Sequence, residues 1–273
     1  MQWVESGGVT LHTDCQGSGP LLVMCHGLIT ANLATWYFSA APALARHYRV
    51  VLYDLRGHGK SALAPNGYDV ETMTRDLAQV IDAYRSERRT TRSEKVALVG
   101  HSYGALIALN YALRYPQSVA RLALIDAPLP AAHYVYPSLA GIDSLFSLQR
   151  LLPAHPQEQL TRGLRQRRRT RERLEFLLLH SSLREDLRAA ADVPDAQLKA
   201  LNISTLCLYG RHSDCAAAGT RLARLLPRGE LRWLESDHFI PTRVPMEMTE
   251  ELLSYFAHGT QEATDYAIHD GSG

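Results

Sequence analysis

Five short apolar runs, at residues 21–25, 49–53, 96–99, 122–125 and 205–209, constrain this chain more than any other feature. Each is too short for a free-standing helix, so each reads as a strand buried on both faces. Between them, residues 34–47, 70–85 and 103–115 carry apolar side chains at three- and four-residue spacing and end near breakers such as Pro116. Strand, helix, strand repeated in this way means parallel pairing through crossover helices. The expected fold is α/β, with a mostly parallel central sheet and helices on both faces. Residues 9–13 alternate and precede Gly17-Ser18-Gly19-Pro20, which predicts part of an antiparallel edge ribbon.

The beat stops after Ile125. Residues 128–202 hold no strand-like run, only Pro-bounded helical stretches such as 174–183 and a basic block. The strand and helix beat resumes at 203, with a last strand at 230–234 and a closing helix at 245–256. The expected division is a core of residues 1–127 and 203–257, a helical cap at 128–202 and a flexible tail at 258–273. A chain of 273 residues that is 46% hydrophobic and 21% charged can bury one sizeable core without disulfides or a metal. Twenty-nine Lys and Arg against 28 Asp and Glu leave a net charge of +1, which argues against a dedicated nucleic-acid binder. Cys15, Cys25, Cys207 and Cys215 lack CxxC or Cys/His ligand spacing, so neither a disulfide framework nor a zinc site is expected. The first residues lack a basic stretch followed by an apolar one, and no apolar run approaches the ~20 residues of a spanning helix. The expectation is a cytoplasmic chain with no membrane span and no nucleic-acid partner.

Gly100-His101-Ser102-Tyr103-Gly104 follows the strand at 96–99 and opens the helix at 103. That context is what a nucleophile elbow requires: a strained strand-to-helix turn lifts a Ser hydroxyl above the sheet and tolerates only small residues two positions to either side. Ser102 is therefore the candidate nucleophile. A Ser hydroxyl needs a neighbouring base, and the base needs a carboxylate to fix its tautomer. Of the twelve His, His238 lies just after the last strand, where its loop can bend over the carboxyl edge of the sheet. For the acid, Asp214 follows the penultimate strand and is favoured; Asp126, at the end of the run 122–125, is the competitor. Asp237 would have to fold back on its own backbone to orient His238, so it reads as structural or as a modifier of the His pKa. An oxyanion needs two donors. Tyr103, first residue of its helix, supplies one backbone N–H, and Leu28, in the loop after the first core strand, the other. Gly27 allows close backbone approach, and His26 reads as an orienting residue; His26, Gly27 and His101 complete the substrate-side set.

Together, His26-Gly27, the segment Asp54-Leu55-Arg56-Gly57-His58-Gly59-Lys60-Ser61, the elbow and the Asp214 and His238 positions resemble the α/β-hydrolase superfamily over residues 9–256. The chain departs in one respect. The family usually places the acid three residues after the Gly that ends its strand, whereas Asp214 is four after Gly210. The resemblance implies a serine hydrolase acting on an ester or thioester through an acyl-enzyme, with no cofactor and no metal. Similar triads also support acyl transfer or cyclisation, carbon–carbon bond hydrolysis and cofactor-free peroxidation, and a catalytically slow ligand receptor is a further alternative. Ser at the elbow disfavours dehalogenase and epoxide hydrolase chemistry, which in similar proteins use Asp there.

Gly57-His58-Gly59-Lys60-Ser61 imitates a phosphate-binding loop, but Asp54 stands where that pattern needs its first Gly. Seven Arg fall between Arg162 and Arg173. Such a run is usually a solvated helix face; within a cap it could also dock an acyl carrier protein or the phosphates of coenzyme A. Arg85, Arg88, Arg89, Arg92 and Lys95 read as a solvated loop. Tyr134, Tyr136, Leu139, Phe146, Leu148, Phe176 and Leu177 are expected to pack the cap onto the core and in part to line an acyl pocket for a small-molecule substrate.

Overall fold

The computed structural model describes residues 2–86, 94–140 and 164–269. Strands β1 (Gln2–Ser6), β2 (Val9–Gln16), β3 (Leu21–Cys25), β4 (Arg49–Tyr53), β5 (Val96–His101), β6 (Val119–Ile125), β7 (Ser204–Gly210) and β8 (Gly229–Leu234) form one sheet in the order β1-β2-β4-β3-β5-β6-β7-β8. The pairs β1/β2 and β2/β4 are antiparallel and the other five parallel. Every expected strand is present, and the edge ribbon has one more than the alternation predicts.

The two faces follow from strand periodicity. Val23, Cys25, Val51, Tyr53 and Leu98 face one core with α3 (Val70–Ser86), α4 (Tyr103–Arg114) and the later helix at Ala216–Leu225. Leu22, Met24, Val50, Leu52, Val99 and Leu206, all fully buried, face the other with α1 (Ala34–Tyr37), α2 (Ala41–Leu44) and the C-terminal helix. Because residues of both parities are buried, the strands read as unbroken apolar runs.

Three elements differ from the sequence reading. The helix expected over 34–47 is split into α1 and α2. Pro42 lacks an N–H and would clash with the Phe38 carbonyl inside a continuous helix, so it sits instead in the first turn of α2. The backbone of the C-terminal helix runs from Pro245 to His269, through most of the expected tail; Gln261, Glu262, Ala263 and Ala267 are good helix formers and no Pro interrupts them. Arg85 is buried, its Nη2 donating to the Glu94 and Ser118 carbonyl oxygens at 2.6 and 3.3 Å; Arg88, Arg89 and Arg92 lie outside the described residues.

Between β6 and β7 the described elements are helices: α5 (Ala131–Tyr134), α6 (Tyr136–Ala140), α7 (Leu164–Leu179), α8 (Leu183–Ala189) and α9 (Asp195–Ala200). The helix read at 174–183 is the end of α7 and the first residue of α8. Beyond them lie α10 (Ala216–Leu225), α11 (Ile240–Arg243) and α12 (Pro245–His269). Among the described residues, no helix is long and apolar enough to cross a membrane.

Candidate active site

Ser102 occupies the turn between β5 and α4 with φ 54° and ψ −126°, in a region L-residues rarely adopt. Its N–H donates to the Ile125 carbonyl at 2.9 Å, so the ends of β5 and β6 jointly hold the turn. The requirement for small residues is steric. A Cβ on Gly104 would lie 2.4 Å from the Cys25 carbonyl oxygen, because α4 starts hard against the end of β3.

His238, in the loop after β8, joins two groups. Its Nδ1 is 2.6 Å from Asp126 Oδ2 and its Nε2 is 2.9 Å from Ser102 Oγ. A carboxylate can only accept, so Nδ1 carries the proton and Nε2 turns its lone pair toward the Ser hydroxyl. His101 sets the loop: its Nε2–H donates to the His238 carbonyl at 2.9 Å. Burial and the neighbouring His238 push His101 down to about 3, so it stays neutral. Through that bond it acts on the backbone of His238.

Asp214 is not the residue that meets His238. It is exposed, while its neighbours Ser213 and Cys215 turn inward. Asp126 is fully buried at the end of β6, with φ 48° bending the chain at the sheet edge. Its Oδ1 accepts the Gly210 N–H at 3.0 Å and its Oδ2 accepts the Ser213 hydroxyl at 2.5 Å. The position three residues after Gly210, where the family usually carries its acid, is Ser213, and that hydroxyl bonds to the carboxylate supplied by the neighbouring strand. The irregular spacing of Asp214 was the signal in the sequence; no pattern pointed to Ser213. Asp237 accepts the Phe239 N–H at 2.9 Å, a local structural contact.

Cys215 has no ligand spacing in the sequence, yet its Sγ lies 3.8 Å from His238 Nδ1. Burial first, then the Asp126 carboxylate, push this thiol up to about 12, so it is protonated and neutral beside the Asp126–His238 hydrogen bond.

The loop after β3 approaches the same hydroxyl. A Cβ on Gly27 would lie 3.1 Å from Ser102 Cβ, so any larger residue there would press on the turn that carries Ser102. Ile29, a β-branched residue, is held at φ 74°, and its N–H donates to His58 Nε2 at 2.8 Å. His26 accepts the Leu55 N–H through Nε2 at 3.0 Å and lies 2.7 Å from the Gly27 carbonyl through Nδ1. His26 and His58 therefore tie the Leu28 loop to the loop after β4, both driven below the ordinary His range mainly by burial, His58 to about 3. Fully buried, His26 orients the loop through these two bonds. Asp54 anchors the second loop by accepting the Leu33 and Lys60 N–H groups, both at 2.8 Å. Tyr103, in the first turn of α4, has no intrahelical acceptor for its N–H.

Arg173 of α7 reaches the loop after β4, its Nη1 donating to the Gly57 and Ser61 carbonyl oxygens at 3.2 and 2.9 Å. Leu177 is buried there as well. Arg168, Arg169 and Arg171 are exposed, Arg168 paired with Glu172. Arg162, Phe146 and Leu148 lie outside the described residues, as do the side chains of Arg165 and Arg167.

Comparison with known proteins agrees with this architecture. Residues 20–256 match the model of the alpha/beta hydrolase fold family, and the chain belongs to that family. A fluoroacetate dehalogenase from Burkholderia sp is 38% identical over 128 residues, 45% of this chain and 39% of that protein. A 2-hydroxy-6-oxo-2,4-heptadienoate hydrolase from Pseudomonas putida is 36% identical over 129 residues, 45% of this chain and 43% of that protein. The matched segments thus span less than half the length of these relatives. Among solved structures, a hydrolase from Pseudomonas aeruginosa superposes with a TM-score of 0.73 at 24% identity, over 93% of this chain and 97% of that one. An enol-lactonase from Burkholderia xenovorans gives 0.73 at 19%, over 94% and 100%. These two likenesses are of fold.

Proposed function

We propose that the chain is a serine hydrolase of carboxylic esters or thioesters, with Ser102 as nucleophile, His238 as base and Asp126 as acid. The observation that carries this reading is the position of His238, within hydrogen-bonding distance of Ser102 Oγ on one side and the buried Asp126 carboxylate on the other. His238 Nε2 takes the Ser102 proton as Oγ attacks the carbonyl carbon. The Leu28 and Tyr103 N–H groups hold the oxyanion, helped by the N-terminal dipole of α4. His238 then protonates the leaving alcohol or thiol. Water enters, gives its proton to His238 and its oxygen to the acyl carbon, and Ser102 regains its hydrogen as the acid departs. No step calls on a cofactor. Ser at position 102 sets the chain apart from nucleophilic carboxylate chemistry, and the enol-lactonase among its fold relatives accords with an ester carbonyl as target.

In this reading the insertion over 128–202 is a cap, latched to the core through Arg173, and the acyl group lies beneath it. Support for a coenzyme A thioester or carrier-bound acyl group is narrower: the exposed guanidiniums of Arg169 and Arg171 on α7 offer bidentate sites for phosphate.

Labelling with a fluorophosphonate followed by peptide mass spectrometry tests the triad without knowledge of the natural substrate. The expected result is one adduct per chain on Ser102, lost in Ser102→Ala and His238→Ala. An unlabelled wild-type protein that also fails to turn over p-nitrophenyl esters would overturn the reading.

A further inference from the structure

Asp126, Cys215 and His238 place one potential ligand atom each, Oδ2, Sγ and Nδ1, within 4.8 Å of one another. The sequence gives no hint of this, because the three lie on different loops. Oxygen, nitrogen and sulfur donors in one small cluster suit a borderline-soft divalent ion, which takes tetrahedral ligands at roughly 2.0–2.3 Å. Sγ and Nδ1, at 3.8 Å, are already near the separation of about 3.5 Å that such geometry gives. Nδ1 and Oδ2, at 2.6 Å, must part by somewhat over half an ångström, which rotation of the partly exposed His238 ring allows. Water or the Ser213 hydroxyl supplies the fourth donor.

We propose that this cluster is an inhibitory Zn2+ site on the back of the His238 ring, and that occupancy switches the hydrolase off without touching Ser102. Protons and charge balance as follows. The thiol proton leaves to solvent, since a coordinating thiol is deprotonated outright. The proton on Nδ1 gives way to the metal and is replaced by one on Nε2, so the imidazole stays neutral. Zn2+, one carboxylate and one thiolate then sum to zero charge, the state a buried site favours. The consequence for the reaction is direct: Nε2, which must accept the Ser102 proton, now carries one. Binding therefore lowers turnover as the fraction of enzyme loaded, and a chelator restores it.

The proposal rests on the role of His238 given above, so the test needs a readout that does not depend on turnover. Cd2+ titration of the full chain in chelator-free buffer follows the ultraviolet cadmium–thiolate absorption, and Zn2+ titration follows p-nitrophenyl acetate hydrolysis, in wild type, Cys215→Ala and Cys215→Ser. The expected result is one thiolate band per chain that Cys215→Ala removes. The Zn2+ concentration for half-inhibition should rise about a hundredfold in that variant, the upper end of what even outer partners of a metal are worth. Hydrolysis without metal should stay within about threefold of wild type. A band or an inhibition curve unchanged by Cys215→Ala, or no band at all, overturns the proposal. If the band behaves as expected while neither wild type nor variant hydrolyses any ester, the metal site stands and the catalytic reading fails.

Discussion

Replacing Asp126 by Asn changes one atom in the buried network, and its effect can be worked out from the contacts. The Gly210 N–H at 3.0 Å requires an acceptor, so the Asn side-chain oxygen stays at the Oδ1 position. The amide nitrogen then stands where Oδ2 met Ser213 Oγ and His238 Nδ1. An NH2 group cannot accept a proton, so Nδ1 must offer a lone pair and the imidazole proton moves to Nε2, aimed at Ser102. Loss of the correct tautomer in a Ser-His-Asp site costs on the order of 10⁴ in kcat, or about 5.4 kcal/mol at 1.36 kcal/mol per decade. Asp214→Asn alters only an exposed side chain, and surface changes within about 0.5 kcal/mol correspond to roughly twofold. The assay is kcat and KM on a p-nitrophenyl ester at pH 8, with circular dichroism to establish that each variant is folded. A folded Asp126→Asn enzyme retaining more than about a tenth of wild-type kcat would refute the assignment, and so would an Asp214→Asn enzyme that loses more than its counterpart.

Two further outcomes follow from the buried contacts. His58 and His101, held neutral to about pH 3, do not take up the protons that they bind in the unfolded chain near pH 6.5. Stability is therefore fully present above about pH 6.5 and falls as the pH drops toward 3, by about 2 kcal/mol per residue at pH 5; His26, shifted the same way, adds to the slope. Urea unfolding at pH 8, 6 and 5 measures it, and a flat profile contradicts the burial argument. Arg173→Met keeps the apolar stem but removes the bonds to Gly57 and Ser61. It should cost about 1–3 kcal/mol, the range for buried polar groups left without partners, and speed amide exchange in α7. Unchanged exchange would mean that apolar packing alone holds the insertion.

The central strands β3 to β7 were legible because they are buried on both faces, so their composition does not depend on partners that sequence hides. The helix over 34–47 was legible in periodicity but not in continuity: apolar spacing survives a break, and only Pro42 marks one. The candidate acid was misread for a related reason. Position after a strand says which sheet edge a residue occupies, and Asp126 and Asp214 share that edge. The choice between them depends on which side chains turn inward at the end of β7, and Ser213 and Cys215 do. His26, His58 and His101 were visible as residues near the motifs, yet their bonds to backbone groups of other loops are tertiary facts with no local signature.

Backbone conformation shows why those bonds are needed. Among the described non-Gly residues, three have positive φ: Ile29, Ser102 and Asp126. They lie in the Leu28 loop, in the turn between β5 and α4, and at the end of β6. Each such residue costs of order 1–3 kcal/mol and persists only when its surroundings over-determine it. Those surroundings are specific: the His58 ring on the Ile29 N–H, the Ile125 carbonyl on the Ser102 N–H, and the Leu208 carbonyl on the Asp126 N–H at 2.9 Å. The last two link β5, β6 and β7 at their carboxyl ends, so the parallel sheet itself holds two of the strained turns in place. The third depends on an imidazole that must stay neutral to accept its bond. Acid should therefore loosen the Leu28 loop before it reaches the sheet, because protonation of His58 Nε2 removes the acceptor that holds Ile29 at φ 74°.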